Sequence, residues 1–239
     1  MTLDVEAPDV SGVKPMTAFP LWCALLALGA DAGTPPARPA ESTPEVKALV
    51  ERMQAFYERT QDFTANFHQD YAYKSFGRTA TSTGTVAFKK PGQMRWDYLT
   101  PSTRSFVISG ERVYAWDPEA KTLTRAEMHT SDLSTSVTFL WGKGRLSDEF
   151  NIVRTPCAEC QGVLLLLTPK RPDARFRELH LELDPKSAQV RRTVVVDPDG
   201  SENTIVFSDL KTNTGLGKEA FVLDVPKGTQ VLDASPPHP

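Results

Sequence analysis

The chain has 239 residues, 40% of them apolar, with 27 Lys and Arg against 30 Asp and Glu for a formal net charge of -3. That near balance lacks the basic excess of a nucleic-acid-binding surface, so nucleic acid is not an expected partner. The length suits one sizeable core or two small ones in an ordinary globular chain.

The first segment, "AFPLWCALLALGADAG" (Ala18 to Gly33), is an apolar run followed by small residues, with Ala30-Asp31-Ala32 in the arrangement that signal peptidase reads. It predicts a secretory signal peptide over residues 1–32, too short for a helix across ~30 Å of hydrocarbon. Residues 1–15 carry Asp4, Glu6 and Asp9 against Lys14, a poor basic region, so Met16 is an alternative start. Cys23 sits early in the apolar run after Pro20-Leu21-Trp22, which is not the placement of a lipidated cysteine. Residues 33–43, rich in Pro, Ala and Thr, predict a disordered leader.

Thr43 ahead of Pro44-Glu45 marks a helix start with proline in the first helical position. Val46, Leu49, Val50, Met53, Phe56 and Tyr57 then recur at helical spacing and predict one apolar stripe. From Phe63 onward the chain is strand-like. Segments such as "FTANFHQDYAYKS", "TSTGTVAFKK", "MRWDYL", "RSFVIS", "RVYAWDP", "GVLLLLTP", "RFRELHLELD" and "EAFVLDV" alternate or are β-branched. Turn signals separate them, among them Ser109-Gly110, Asp117-Pro118, Asp184-Pro185 and Asp197-Pro198-Asp199-Gly200. Many short strands at this spacing predict one antiparallel sheet, curved or closed.

In "TSDLSTSVTFLWGKG" (Thr130 to Gly144), Leu133, Val137, Leu140 and Trp141 lie at helical offsets and Gly142 follows as a stop, which predicts a short apolar helix. Two helices on the concave side of a strongly curved sheet is the economical arrangement. Cys157 and Cys160 in "PCAECQG" lie between two strand-like runs, with Pro156 before and Gly162 after. A local disulfide stapling a turn fits this better than a thioredoxin-like redox pair, which should open a helix.

Catalytic chemistry finds no support. His68, His129, His180 and His238 have no metal-ligand spacing with one another or with the cysteines. The phosphate-loop, nucleophile-elbow and zincin patterns are absent. "GLGKEA" (Gly215 to Ala220) reads as a hairpin turn, and His180-Leu181-Glu182 as a solvated strand face. No cofactor and no metal are expected, and no catalytic residue is assigned.

The apolar faces carry the positive signal. In "GTVAFKKPGQMRWDYLTP" (Gly84 to Pro101), period-two spacing sets Val86 with Phe88, and Met94 with Trp96 and Tyr98, while Arg95 and Asp97 point the other way. Each of these alone suits an ordinary core. Together with the helix stripe and the Val137 to Trp141 segment they predict a hydrophobic cavity able to accept a flexible chain.

"FTANFHQ", "GTVAFKKPGQMRWDYLTP", "GERVYAWDPEAKTLT", "LLLTPK" and "FVLDVPKGTQVLD", in this order from about Pro44 to Asp233, resemble the periplasmic outer-membrane lipoprotein carrier family, LolA. The most specific stretch is K-[KR]-P-x-x-[FM]-x-W-x-[YM]-x-x-P. The resemblance implies a mainly β fold: an incomplete, strongly curved antiparallel β-barrel whose helices lid a concave hydrophobic cavity, over residues 44–233, with a tail at 234–239. It implies a monomeric, non-enzymatic carrier in the periplasm that binds lipoprotein acyl chains. Its partners would be an ATP-driven release complex of the inner membrane and an outer-membrane acceptor. The acyl-chain site would comprise Val86, Phe88, Met94, Trp96 and Tyr98, with Leu133, Val137, Leu140 and Trp141 on the lid. Many members carry arginine where this chain has Lys90, the candidate lid latch, and lysine lacks the planar fork of a guanidinium. A lipid-sensing regulator or an outer-membrane acceptor of the same fold are the alternative functions, and a CxxC thiol oxidoreductase the remote one.

Overall fold

A computed structural model of the protein describes residues 42–127 and 144–234. The signal segment, most of the leader and the apolar segment with Leu133, Val137, Leu140 and Trp141 lie outside these residues, as does the tail beyond Ala234.

Helix α1 (Pro44–Arg59) begins where the sequence marks it: Thr43 Oγ1 accepts from the Val46 N–H at 3.3 Å, and Pro44 occupies the first turn. Its buried face is Val46, Leu49, Val50, Met53, Gln54 and Tyr57, the stripe expected from helical spacing with Gln54 added and Phe56 at its margin. Among the described residues twelve strands follow: β1 (Asp62–Tyr73), β2 (Arg78–Lys89), β3 (Gln93–Thr100), β4 (Arg104–Ser109), β5 (Arg112–Asp117), β6 (Thr122–Glu127), β7 (Phe150–Arg154), β8 (Val163–Pro169), β9 (Glu178–Leu183), β10 (Val190–Val196), β11 (Glu202–Thr212) and β12 (Gln230–Ala234). A single turn of helix, α2 (Leu146–Glu149), leads into β7.

These strands form one open, curved sheet in the order β12-β6-β5-β4-β3-β2-β1-β11-β10-β9-β8-β7. The curvature shows in ring contacts. Trp96 on β3 and Phe207 on β11 are three strand steps apart, about 14 Å in a flat sheet, yet their ring centroids lie 6.3 Å apart. The sheet therefore wraps toward the face that bears them.

The concave face follows from the pairing register, because directly paired residues share a side. Phe63, Ala65 and Phe67 of β1 align with Phe88, Val86 and Gly84 of β2, and these with Met94, Trp96 and Tyr98 of β3. On the other flank Leu179, Leu181 and Leu183 of β9 align with Leu167, Leu165 and Val163 of β8. The α1 stripe and most of these residues form one buried cluster. Each fully buried large side chain there contributes roughly 1.5–3 kcal/mol.

Three expectations need correction. Residues 219–225 do not form a strand, and "GLGKEA" does not turn a hairpin: Lys218–Phe221 is a 3-10 turn lying against β3 and β4. Arg95 Nη1 donates to the carbonyls of Ala220 and Val222, both at 3.1 Å, so a side chain supplies what a strand neighbour would have supplied. Phe221 is buried, and Val107, on the convex side of β4, is buried as well. Second, the sheet is not wholly antiparallel, because β12 runs parallel to β6 and continues through Ala234. Third, Glu182 is not on a solvated face. It is buried, 3.0 Å from Arg192 Nε, and its Oε1 accepts from the N–H groups of Gln161 and Gly162.

Candidate functional site

The concave wall grades from sealed to open. Val86, Phe88 and Met94 are buried in the cluster that contains the α1 stripe, and Phe88 stacks on Phe63 with centroids 5.1 Å apart. Trp96 and Tyr98, one and two steps further along the same face, are only half-buried. Phe67 lies between them, 4.9 Å from the Trp96 ring and 5.1 Å from the Tyr98 ring. Phe207 closes the group on the β11 side and Phe106, exposed, on the β4 side at 5.8 Å from Tyr98.

Five of the expected cavity residues thus share one face and one continuous aromatic and aliphatic surface. The four on the apolar segment lie outside the described residues. Phe63, Phe67, Phe106 and Phe207 belong to the same surface and were missed. Period two along "FTANF" would have found the first two; Phe106 and Phe207 required the cross-strand register.

Gly84 makes the aromatic group possible. A Cβ built there would stand 2.0 Å from the Asp97 carbonyl oxygen and 2.7 Å from the Phe67 ring. The Phe67 ring occupies the space a side chain would take, covering the glycine as edge aromatics do in designed sheets.

Helix α1 is fastened to the sheet by side chains at several points. Lys90, in the β2–β3 turn, donates from Nζ to the carbonyls of Tyr57 and Glu58 at 2.8 and 2.9 Å. These are orphan carbonyls of the last helical turn, where a cation also meets the negative end of the helix dipole. Burial lowers the Lys90 pKa, partly offset by Glu58. Arg52 Nη2 donates to the carbonyls of Pro185 and Lys186 in the β9–β10 turn. The buried Tyr57 hydroxyl accepts from the Val190 N–H at 3.2 Å, and burial pushes its pKa up to about 12.

Cys157 and Cys160 are joined as a disulfide in the β7–β8 connection. Arg192 Nη2 lies 2.8 Å from Cys160 Sγ on the outward side of β10, away from the aromatic surface. His68 pairs with Asp70 and His180 with Glu178, and among the described residues no group of His, Cys, Asp and Glu side chains gathers as a metal site would require. A hollow of about 390 Å³ has a mixed lining, with Ala65, Val86 and Ala87 beside Asn66, Asp209 and Lys211, and the aromatic group takes no part in it.

An open curved sheet with an aromatic concave wall and a helix hydrogen-bonded to its β2–β3 turn is joined by a match over residues 58–224 to the family model "Outer membrane lipoprotein carrier protein LolA". The chain belongs to the LolA family. This LolA-family chain is 28% identical over 186 residues to the outer-membrane lipoprotein carrier protein of Pseudomonas aeruginosa (strain UCBPP-PA14), covering 77% of this chain and 88% of that one. Its identity to the carrier protein of Hahella chejuensis (strain KCTC 2396) is 25% over 190 residues, 79% of this chain and 90% of that one. Among solved structures, an uncharacterized conserved protein from Thermus thermophilus aligns with a TM-score of 0.51 at 12% identity, over 79% of this chain and 98% of that chain, a likeness of fold alone.

Proposed function

We infer that this LolA-family chain is a periplasmic carrier that takes lipoprotein acyl chains onto its concave face and shuttles them from an inner-membrane, ATP-driven release complex to an outer-membrane acceptor. The observation that carries the reading is the half-buried aromatic group of Trp96, Tyr98, Phe67 and Phe207 on the concave side of an open sheet. No covalent step is needed.

Carriage demands that binding be offset. Each buried methylene contributes ~0.8 kcal/mol, so two acyl chains alone would bind almost irreversibly. Rings that pack on one another in the empty protein give up those contacts on loading, at about 0.5–1.5 kcal/mol per aromatic pair. Lys90 acts in the same sense, holding the last turn of α1 to the β2–β3 turn in the closed form.

The test is transfer of a labelled diacyl lipoprotein from inner-membrane vesicles to the purified protein. Wild type is expected to carry it, and Trp96→Glu, which sets a charge among apolar rings, to lose at least tenfold. Normal carriage by Trp96→Glu, with an unchanged melting curve, would overturn the assignment of the site.

A further inference from the structure

Beyond Phe67 the concave face changes character. The inward row of β1 continues to Gln69, whose Nε2 donates to Asn203 Oδ1 on β11 at 2.8 Å. Tyr98 reaches the same place from β3. Its hydroxyl pKa is raised by burial, opposed by the nearby Arg104 charge. Between them stands Gly84, with no side chain to hold Tyr98 and β1 apart.

The Gln69 amide donates one of its two N–H groups to Asn203. The Tyr98 O–H and the Asn203 Nδ2 hydrogens have no acceptor among the described residues, and neither atom is sealed from the concave space. A wall that is apolar from Phe88 to Trp96 therefore ends in a band of available donors. An ester-linked lipid has the same order: hydrocarbon first, then two carbonyl oxygens that can only accept.

Resting on the carrier reading above, we propose that Tyr98 and Asn203, the latter oriented by Gln69, bind the ester carbonyls where acyl chains join the glycerol backbone. The face thereby reads the linkage as well as the chain. A ligand of equal hydrocarbon content without carbonyls would strip water from these donors and offer them, in an ether, only a weaker acceptor set back in the chain. Sites built to hydrogen-bond a ligand group discriminate by that penalty.

The experiment compares a fluorescent diacylglycerol with the dialkyl ether of the same chain lengths, titrated into wild type, Tyr98→Phe and the double variant Tyr98→Phe/Asn203→Leu. Wild type is expected to bind the diester about tenfold tighter than the diether. Tyr98→Phe should remove part of that preference and the double variant nearly all of it, because diether affinity rises toward that of the diester as the unsatisfied donors are removed. Equal wild-type affinity for diester and diether, or variants that weaken both ligands alike, would overturn the proposal while leaving the acyl-chain site intact. Failure of wild type to bind either ligand would instead overturn the carrier reading and this proposal with it.

Discussion

Lys90 Nζ donates to the main-chain carbonyl of Tyr57 at 2.8 Å, joining the β2–β3 turn to the last turn of α1. A second bond, to Glu58, makes this a clasp of one ammonium on two helix-end carbonyls. If the clasp favours the closed protein, its removal shifts the equilibrium toward the form that accepts ligand. Lys90→Met is expected to slow release of a bound diacyl lipid, with affinity rising about 5- to 30-fold for the loss of roughly 1–2 kcal/mol of charge-assisted contact. Lys90→Arg should keep fast release, since a guanidinium can serve the same two acceptors. Dissociation rates by stopped-flow fluorescence measure this, and equal rates for wild type and Lys90→Met would refute the clasp.

Gly84 is a position where almost any side chain should fail. Its would-be Cβ meets main-chain oxygen at 2.0 Å as well as the Phe67 ring, and backbone cannot swing aside as a side-chain end can. Gly84→Ala is expected to cost roughly 2–3 kcal/mol and to lower Tm by roughly 5–10 °C. Because Phe67 must shift, acyl-lipid affinity should fall as well. A melting curve and a lipid titration on the same sample check both, and an unchanged Tm would mean that the strand gives way more easily than the register implies.

Asp62 sets an acid limit on stability. It is buried, and its carboxylate accepts from the N–H groups of Thr214, Gly215 and Leu216 and from the Thr214 hydroxyl. Burial pushes its pKa up, but these bonds outweigh burial and hold it below the ordinary value. Asp184 is held at about 2 by the N–H groups of Ser187 and Lys186, with Arg191 adding to the effect. Depressed carboxyls bind fewer protons folded than unfolded, so their contribution is complete above the unfolded pKa and is lost as pH falls through the folded one. Stability should therefore hold near neutrality and decline from the ordinary carboxylate value of 3.8 toward about 2. Urea unfolding across that range is expected to show a shallower acid decline for Asp62→Asn, together with lower stability at neutral pH.

The Cys157–Cys160 bridge should matter less than the ion pair beneath it. A loop this short gains at most about 2 kcal/mol from closure. Glu182, by contrast, holds the Gln161 and Gly162 N–H groups and faces Arg192, so Glu182→Leu strands two backbone donors and a partly buried cation. Reduction with a phosphine is expected to lower Tm by no more than a few degrees, and Glu182→Leu to lower it by clearly more. The reverse order would place the main fastening in the disulfide.

Much of this protein is legible from local pattern. The capped helix at Thr43-Pro44 and its stripe, the succession of strands, and the common face of Met94, Trp96 and Tyr98 follow from periods of 3.6 and two residues, which bonded geometry imposes on any chain. Lys90 entered as a latch candidate by a different route, through the resemblance to a family in which many members carry arginine at that place beside the proline.

What only the tertiary structure decided are relationships between distant residues. Phe207 joins Trp96 through curvature across three strand steps. Glu182 is buried because the cysteine loop and Arg192 fold over it, and residues 218–222 leave the sheet because Arg95 takes their carbonyls. Alternation along a strand fixes which side chains share a face, whereas sheet register and curvature decide which faces meet and which polar groups they enclose. Those depend on pairings more than a hundred residues apart, such as Phe67 with Phe207, that no window of sequence contains.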